Sequence, residues 1–116
     1  VFANHGRDPK NGKRYFCPDI ARYVNATLAT CGMYDGSGGF ALNVGFPAKS
    51  GVGGGIMAVI PKTMGIGVFA PAIDRHGNSV AGVKALAQLG YNVVIKQDNT
   101  INKDDYKILE GEKQCI

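Results

Sequence analysis

Residues 46–56, "FPAKSGVGGGI", set a cation (Lys49) and a hydroxyl (Ser50) among four glycines. Backbone amides freed of side chains, beside an ammonium group and a hydroxyl, form a surface that suits an anion, either a phosphate or an oxyanion. A Walker phosphate loop, G-x-x-x-x-G-K-[ST], does not fit. Alignment on Lys49-Ser50 puts Asn43 and Ala48 where its glycines belong. A dinucleotide loop needs its glycines between a strand and a helix, whereas Gly51, Gly53, Gly54 and Gly55 run into the strand-like "IMAVIP". A flexible link fits poorly between two apolar runs. Two readings remain: a strand that receives an oxyanion, and glycines that let a helix or a ligand come close to a sheet.

Other reactive residue types are sparse. Asp74 and His76 lie two apart in "AIDRHGNS", where loop polarity accounts for them better than a catalytic dyad. Cys17, Cys31 and Cys115 are an odd number without C-x-x-C spacing. That pattern opposes both a disulfide framework and a zinc site, and it suits reduced thiols in a cytoplasm-like compartment. Cys31 is expected in the core, and neither histidine has a fixed relation to a cysteine. The sequon Asn25-Ala26-Thr27 falls inside a helical pattern and is discounted.

The elements that must position these residues read as follows. Residues 1–16, with "RDPKNGKRY", form a loop. "CPDIARYVNATLATCG" is a helix with Pro18 in its first turn and Asp19 at the positive end of its dipole. Ile20, Tyr23, Val24, Leu28 and Cys31 make one apolar face, which places Tyr23 in the core. Gly32 ends the helix as a left-handed cap. "YDGSGG" is a turn, and "FALNVGF" alternates like a half-buried strand. "IMAVIP" and "GIGVFAP" follow as strands, giving a three-stranded antiparallel meander over residues 40–70. Asn78 or Ser79 caps a second helix whose buried face is Val80, Val83, Leu86, Ala87 and Leu89, with Gly90 closing it. "YNVVIKQ" is a possible short strand, and the rest of the tail is a weak helical pattern. The fold class is therefore α+β, an antiparallel sheet with helices packed on it.

The chain has 116 residues, 45% of them apolar, enough for one domain with a core. No apolar run is long enough to span a membrane. The net charge of +4 is scattered except at residues 7–14, which read as a solvated loop rather than a nucleic-acid face. The chain opens on Val1 without a leader, and its two apolar strands call for cover on both faces, more than two helices provide. It therefore reads as part of something longer.

Lys-Ser/Thr-Gly at the start of a strand is also the third motif of the penicillin-binding and serine β-lactamase group. A longer likeness is more specific. "CGMYDGSGGFALNVGFPAKSGVGGGIMAVIP", residues 31–61, and "APAIDRHGNSVAGVKAL", residues 70–86, resemble the serine-dependent glutaminases, as does the opening "ANHGRDPKNGKR". The likeness covers about residues 2–90, the C-terminal portion of such a domain, and leaves 91–116 as an unmatched tail. It implies a β-lactamase/transpeptidase-like fold, no metal or other cofactor, and hydrolysis of L-glutamine to L-glutamate and ammonia. It implies that Tyr34 contacts substrate and assists proton transfer. Val52 would lend its N–H to the oxyanion hole, and Lys49, Ser50 and Gly51 would shape the pocket. Asn4 would play a supporting part. The implied partners are L-glutamine, an upstream part of the enzyme and further copies in a homo-oligomer, with no nucleic acid and no membrane.

The sequence departs from that pattern in places. His5 replaces a usual Gly, Phe46 a usual Leu and Phe69 a frequent Trp. The Ser-x-x-Lys that supplies nucleophile and base is absent, since Phe40, Gly53 and Gly82 stand three after the three serines. The alternatives are a non-catalytic binding module of this fold and another acyl-transfer enzyme of the β-lactamase group.

Overall fold

The computed structural model describes residues 1–97. Helix α1 spans Pro18–Cys31, α2 Ser37–Asn43 and α3 Val80–Gln97. Strands β1 (Ala48–Gly51), β2 (Gly55–Ile60) and β3 (Met64–Phe69) form one sheet in that order. Short 3-10 turns occupy Phe2–Asn4 and Tyr34–Gly36.

The sheet is an antiparallel meander, as expected, but it begins later. β1 pairs with β2 from Ala48↔Ala58 to Gly51↔Gly55, and β2 pairs with β3 from Gly55↔Phe69 to Ile60↔Met64. "FALNVGF", expected as a strand, is instead largely α2. Phe40 and Val44 satisfy both a two-residue and a four-residue repeat, and Leu42 decides between them. In a strand it would share their buried face, but it is 85% exposed, while Phe40 and Val44 are buried. The glycine run lies only partly in the sheet, its middle forming a turn. Gly51 and Gly55 close a hairpin, with Gly54 N–H donating to Gly51 O at 2.9 Å. Gly54 has φ +96°, and a Cβ there would meet Ala70 O at 2.4 Å, so the turn requires glycine.

The core lies on one face of the sheet. Met33, Phe40, Phe46, Ile56, Ile60 and Leu86 are among its buried members, with Val83, Ala87 and Leu89 packed around them. Ser79 caps α3 as expected: its hydroxyl accepts from Gly82 N–H at 3.1 Å and donates to Ala70 O at 2.7 Å. Because Ser79 is fully buried and serves two partners, Ser79→Ala should lower stability by about 1–2 kcal/mol in chemical denaturation, the upper half of the range for cap removal. Gly90 does not end α3, and residues 91–97 are helical rather than a strand. A short Val/Ile-rich run is ambiguous between the two by pattern alone. Gly90 serves packing instead, since a Cβ there would lie 2.5 Å from Val44 O. The helical pattern expected for the rest of the tail lies outside the described residues.

α1 begins and ends where the sequence indicates, but two details differ. Gly32 is right-handed (φ −67°) rather than a left-handed cap. It is glycine because a Cβ would collide with Ala48 O, 1.7 Å away, where the helix end abuts β1. Among the described residues only part of the apolar face is covered. Val24 and Leu28 are half-buried, while Ile20, Cys31 and Tyr23 (76% exposed) face outward. The expected core positions of Tyr23 and Cys31 are thus corrected. β3 likewise leaves Phe69 74% exposed.

The basic loop at 7–14 is exposed and ties itself together. Arg7 donates to Gly12 O at 2.6 Å, and Arg14 to His5 O at 2.9 Å and Phe16 O at 3.2 Å. His5 takes a left-handed backbone, φ 51°, which explains why glycine suits that position.

Candidate functional site

The site grows out of the join between α1 and β1. Ser50 N–H donates to Gly32 O at 2.9 Å, which fixes β1 against the end of α1. Ser50 is 2% exposed, and its hydroxyl is buried without a partner among the described residues. Two side chains converge on its carbonyl: Tyr34 O–H donates to it at 3.2 Å, and Lys49 Nζ donates to it as well. The ammonium also lies 4.4 Å from the centre of the Tyr34 ring, a cation–π contact that draws cation and phenol together.

Tyr34 reaches this place through an uncommon backbone. Its φ is 54°, a left-handed conformation that side chains other than Gly, Asn and Asp seldom adopt. Ser37 holds the turn: its hydroxyl donates to Tyr34 O at 2.7 Å and accepts from Met33 N–H at 3.0 Å. The phenol ring then packs on Gly77, where a Cβ would stand 3.6 Å from Cε2 of the ring and 3.7 Å from Cγ1 of Val52. Tyr34, Gly77 and Val52 therefore share one surface patch. Val52 sits in the β1–β2 hairpin, 69% exposed.

The loop before α3 is built by Asp74. Its carboxylate accepts N–H bonds from His76 at 2.8 Å and Asn78 at 3.1 Å. The Asn78 amide holds the Asp74 carboxyl below its usual range. Partial burial opposes this, while the His76 amide, the charge of His76 and the Gly77 amide add to it. A carboxyl depressed in the folded state protonates first in the unfolded chain. Its stabilisation is therefore present above the ordinary value of 3.8 and is lost as pH falls below it. Thermal unfolding followed from pH 6 to about pH 3 should show the melting temperature of Asp74→Asn falling less steeply than that of the parent.

The structure thus brings together Tyr34, Lys49, Ser50, Gly51 and Val52. Asn4 stays local, donating to Arg7 O at 3.0 Å. Asp74 is a loop-building residue, as loop polarity suggested. His76 has a different partner: its Nδ1 lies 2.7 Å from Asp35 Oδ1. Asn78, almost fully buried, donates to Met33 O at 3.0 Å and so ties this loop to the end of α1. The roles of Gly77, Asn78, His76 and Ser37 at the turn are not legible in the sequence: His76 reads there as loop polarity and Asn78 as a helix cap, Gly77 lies in the Asp-x-x-Gly-Asn-Ser stretch 74–79, and Ser37 lies in the turn "YDGSGG". Asp35, Asn43, Asp74, His76 and Asn78 help line a cleft of about 270 Å³ beneath the Tyr34 turn. Among the described residues no group of His, Cys, Asp and Glu could hold a metal ion, and no helix is long and apolar enough to cross a membrane.

Helices on one face of an antiparallel sheet, with Lys-Ser-Gly on the strand entering a hairpin, define a β-lactamase-like α+β domain. The chain belongs to the glutaminase family, whose model matches residues 1–96. It is 58% identical over 88 residues to a glutaminase of Clostridium tetani, covering 76% of this chain and 29% of that one. It is 59% identical over 88 residues to a glutaminase of Clostridioides difficile, covering 76% and 28%. A crystal structure of a Bacillus subtilis glutaminase in covalent complex with 5-oxo-L-norleucine superposes with TM-score 0.77 at 41% identity, over 79% of this chain and 34% of that one. The chain thus spans under a third of the length of these curated relatives.

Proposed function

We propose that this chain contributes one wall of the active site of a serine-dependent glutaminase, which hydrolyses L-glutamine to L-glutamate and ammonia. The observation that carries the reading is the convergence of Tyr34 and Lys49 on the Ser50 carbonyl, beside the hairpin that bears Val52. The covalent 5-oxo-L-norleucine complex of the Bacillus subtilis relative supports a nucleophilic route.

In this reading the nucleophilic serine and a basic lysine come from a Ser-x-x-Lys segment upstream of this chain. The serine oxygen bonds to the side-chain amide carbon of glutamine and gives up its proton to the base. The carbonyl π electrons move to oxygen, and the Val52 N–H stabilises that oxyanion. The carbonyl re-forms as the C–N bond breaks, and a proton delivered with the help of the Tyr34 phenol lets nitrogen leave as ammonia. Water then cleaves the acyl-enzyme ester to give glutamate. Lys49, Ser50 and Gly51 shape and polarise the pocket, and neither metal nor cofactor takes part.

Further protein is needed on two sides. The outward side chains of α1 (Ile20, Tyr23) and the exposed Phe69 of β3 support contact with the upstream part and with other copies in a homo-oligomer. The cysteine pattern supports a cytoplasmic setting.

A chimera tests the reading. The segment of this chain that matches the Clostridium tetani relative replaces its counterpart there, and ammonia release from L-glutamine is assayed. Turnover that depends on both Tyr34 and Val52 is expected. A folded but inert chimera would sink the proposal.

A further inference from the structure

One contact at the site is unused by the chemistry above. The Asp35 carboxylate accepts from His76 Nδ1–H at 2.7 Å, and the other ring nitrogen, Nε2, accepts from Arg75 Nε–H at 3.4 Å. These two bonds are mutually consistent, since one imidazole nitrogen donates while the other accepts. Asp35 directly follows Tyr34, and His76 directly precedes Gly77. The pair therefore brackets the place where the Tyr34 ring rests on Gly77.

That place needs holding. Tyr34 occupies a left-handed conformation that persists only when its surroundings over-determine it. Ser37 secures the α2 side of the turn, and the Ser50 carbonyl and Lys49 secure the phenol end. Nothing in that set ties the turn to the loop before α3. Asn78 does so on the Met33 side of Tyr34, through its bond to Met33 O, and His76 does so on the Asp35 side, with its own backbone fixed because its N–H donates to Asp74. The charged neighbours of the imidazole are Asp35 from the Tyr34 turn, with Asp74 and Arg75 on its own loop. α2 contributes Gly39, Phe40 and Asn43 to the cleft they share, and none of these is charged.

We propose that the His76–Asp35 pair is a latch that positions Tyr34, closing its turn onto Gly77 so that the phenol faces the Val52 hairpin. His76 is a positioning residue, and its importance for turnover rests on the role proposed for Tyr34.

The direct test is NMR on the full chain, read at the nuclear Overhauser contact between the Tyr34 ring protons and the Gly77 Hα. The parent should show the contact, together with a ring-current shift of Gly77 Hα. His76→Ala and Asp35→Ala should each weaken the contact about threefold, as suits a solvent-exposed pair. His76→Asn, which offers an amide N–H in the place of Nδ1–H, should restore it. In the chimera, His76→Ala should lower kcat about three- to tenfold with KM within about twofold, and His76→Asn should recover the loss. An unchanged contact in His76→Ala, or no rescue by His76→Asn, overturns the latch. So does loss of fold in both alanine variants, read from Leu86 methyl dispersion, because it would make the pair merely structural. The NMR arm needs no glutamine. A latch that holds while the parent chimera is inert defeats the proposed function alone.

Discussion

Replacing Tyr34 with Phe in the chimera should lower kcat by about 10²–10⁴, the range for losing a positioned acid–base group. The substitution deletes one oxygen and leaves the ring in place over Gly77 and beneath the Lys49 ammonium. It also removes the bond to the Ser50 carbonyl, a net loss of about 0.5–1.5 kcal/mol in stability. That structural part sets a floor. If Tyr34 only braced β1, thermal stability would fall slightly and kcat would change by less than about tenfold. Steady-state ammonia release measured alongside a melting curve separates the two roles. A Phe variant within tenfold of the parent would remove Tyr34 from the chemistry.

The second large effect is structural. Gly32→Ala should destabilise the chain by more than about 3 kcal/mol, beyond the ordinary range for overpacking. The added methyl would stand 1.7 Å from Ala48 O and 2.5 Å from Leu28 O, both backbone atoms that cannot rotate away. Relief requires α1 to lift off β1, which breaks the Ser50 N–H bond to Gly32 O. Ser50 sits directly between Lys49 and the Gly51 hairpin, so the same movement would displace the site. Equilibrium urea denaturation measures the loss. A Gly32→Ala variant within about 1 kcal/mol of the parent would mean that the helix–strand join is loose.

The site was more legible than the fold around it. Lys49, Ser50, Gly51 and Val52 are contiguous, so their proximity survives any error in the elements around them. Tyr34 emerged only through the likeness to a known family, because no spacing rule links it to Ser50. The errors have physical causes. Phe40 and Val44 fit both helix and strand periods, and the exposure of Leu42, a tertiary property, decided the matter. Gly32 and Gly90 look like helix stops, yet they are small because backbone carbonyls of Ala48 and Val44 approach them. Such approaches connect residues far apart in sequence and leave no local pattern. The apolar stripe of α1 suggests a core position for Tyr23 and Cys31, because such a stripe does not reveal what covers it, and both are exposed. His76 reads as loop polarity in the sequence because its partner, Asp35, lies 41 positions away.

The most direct test of the central claim is ammonia release from L-glutamine by the Clostridium tetani chimera carrying this chain's matched segment. We predict turnover that falls sharply in Tyr34→Phe and in a variant whose Val52 amide is removed. A cooperatively folded chimera that releases no ammonia, or one whose turnover is indifferent to both changes, would contradict the account.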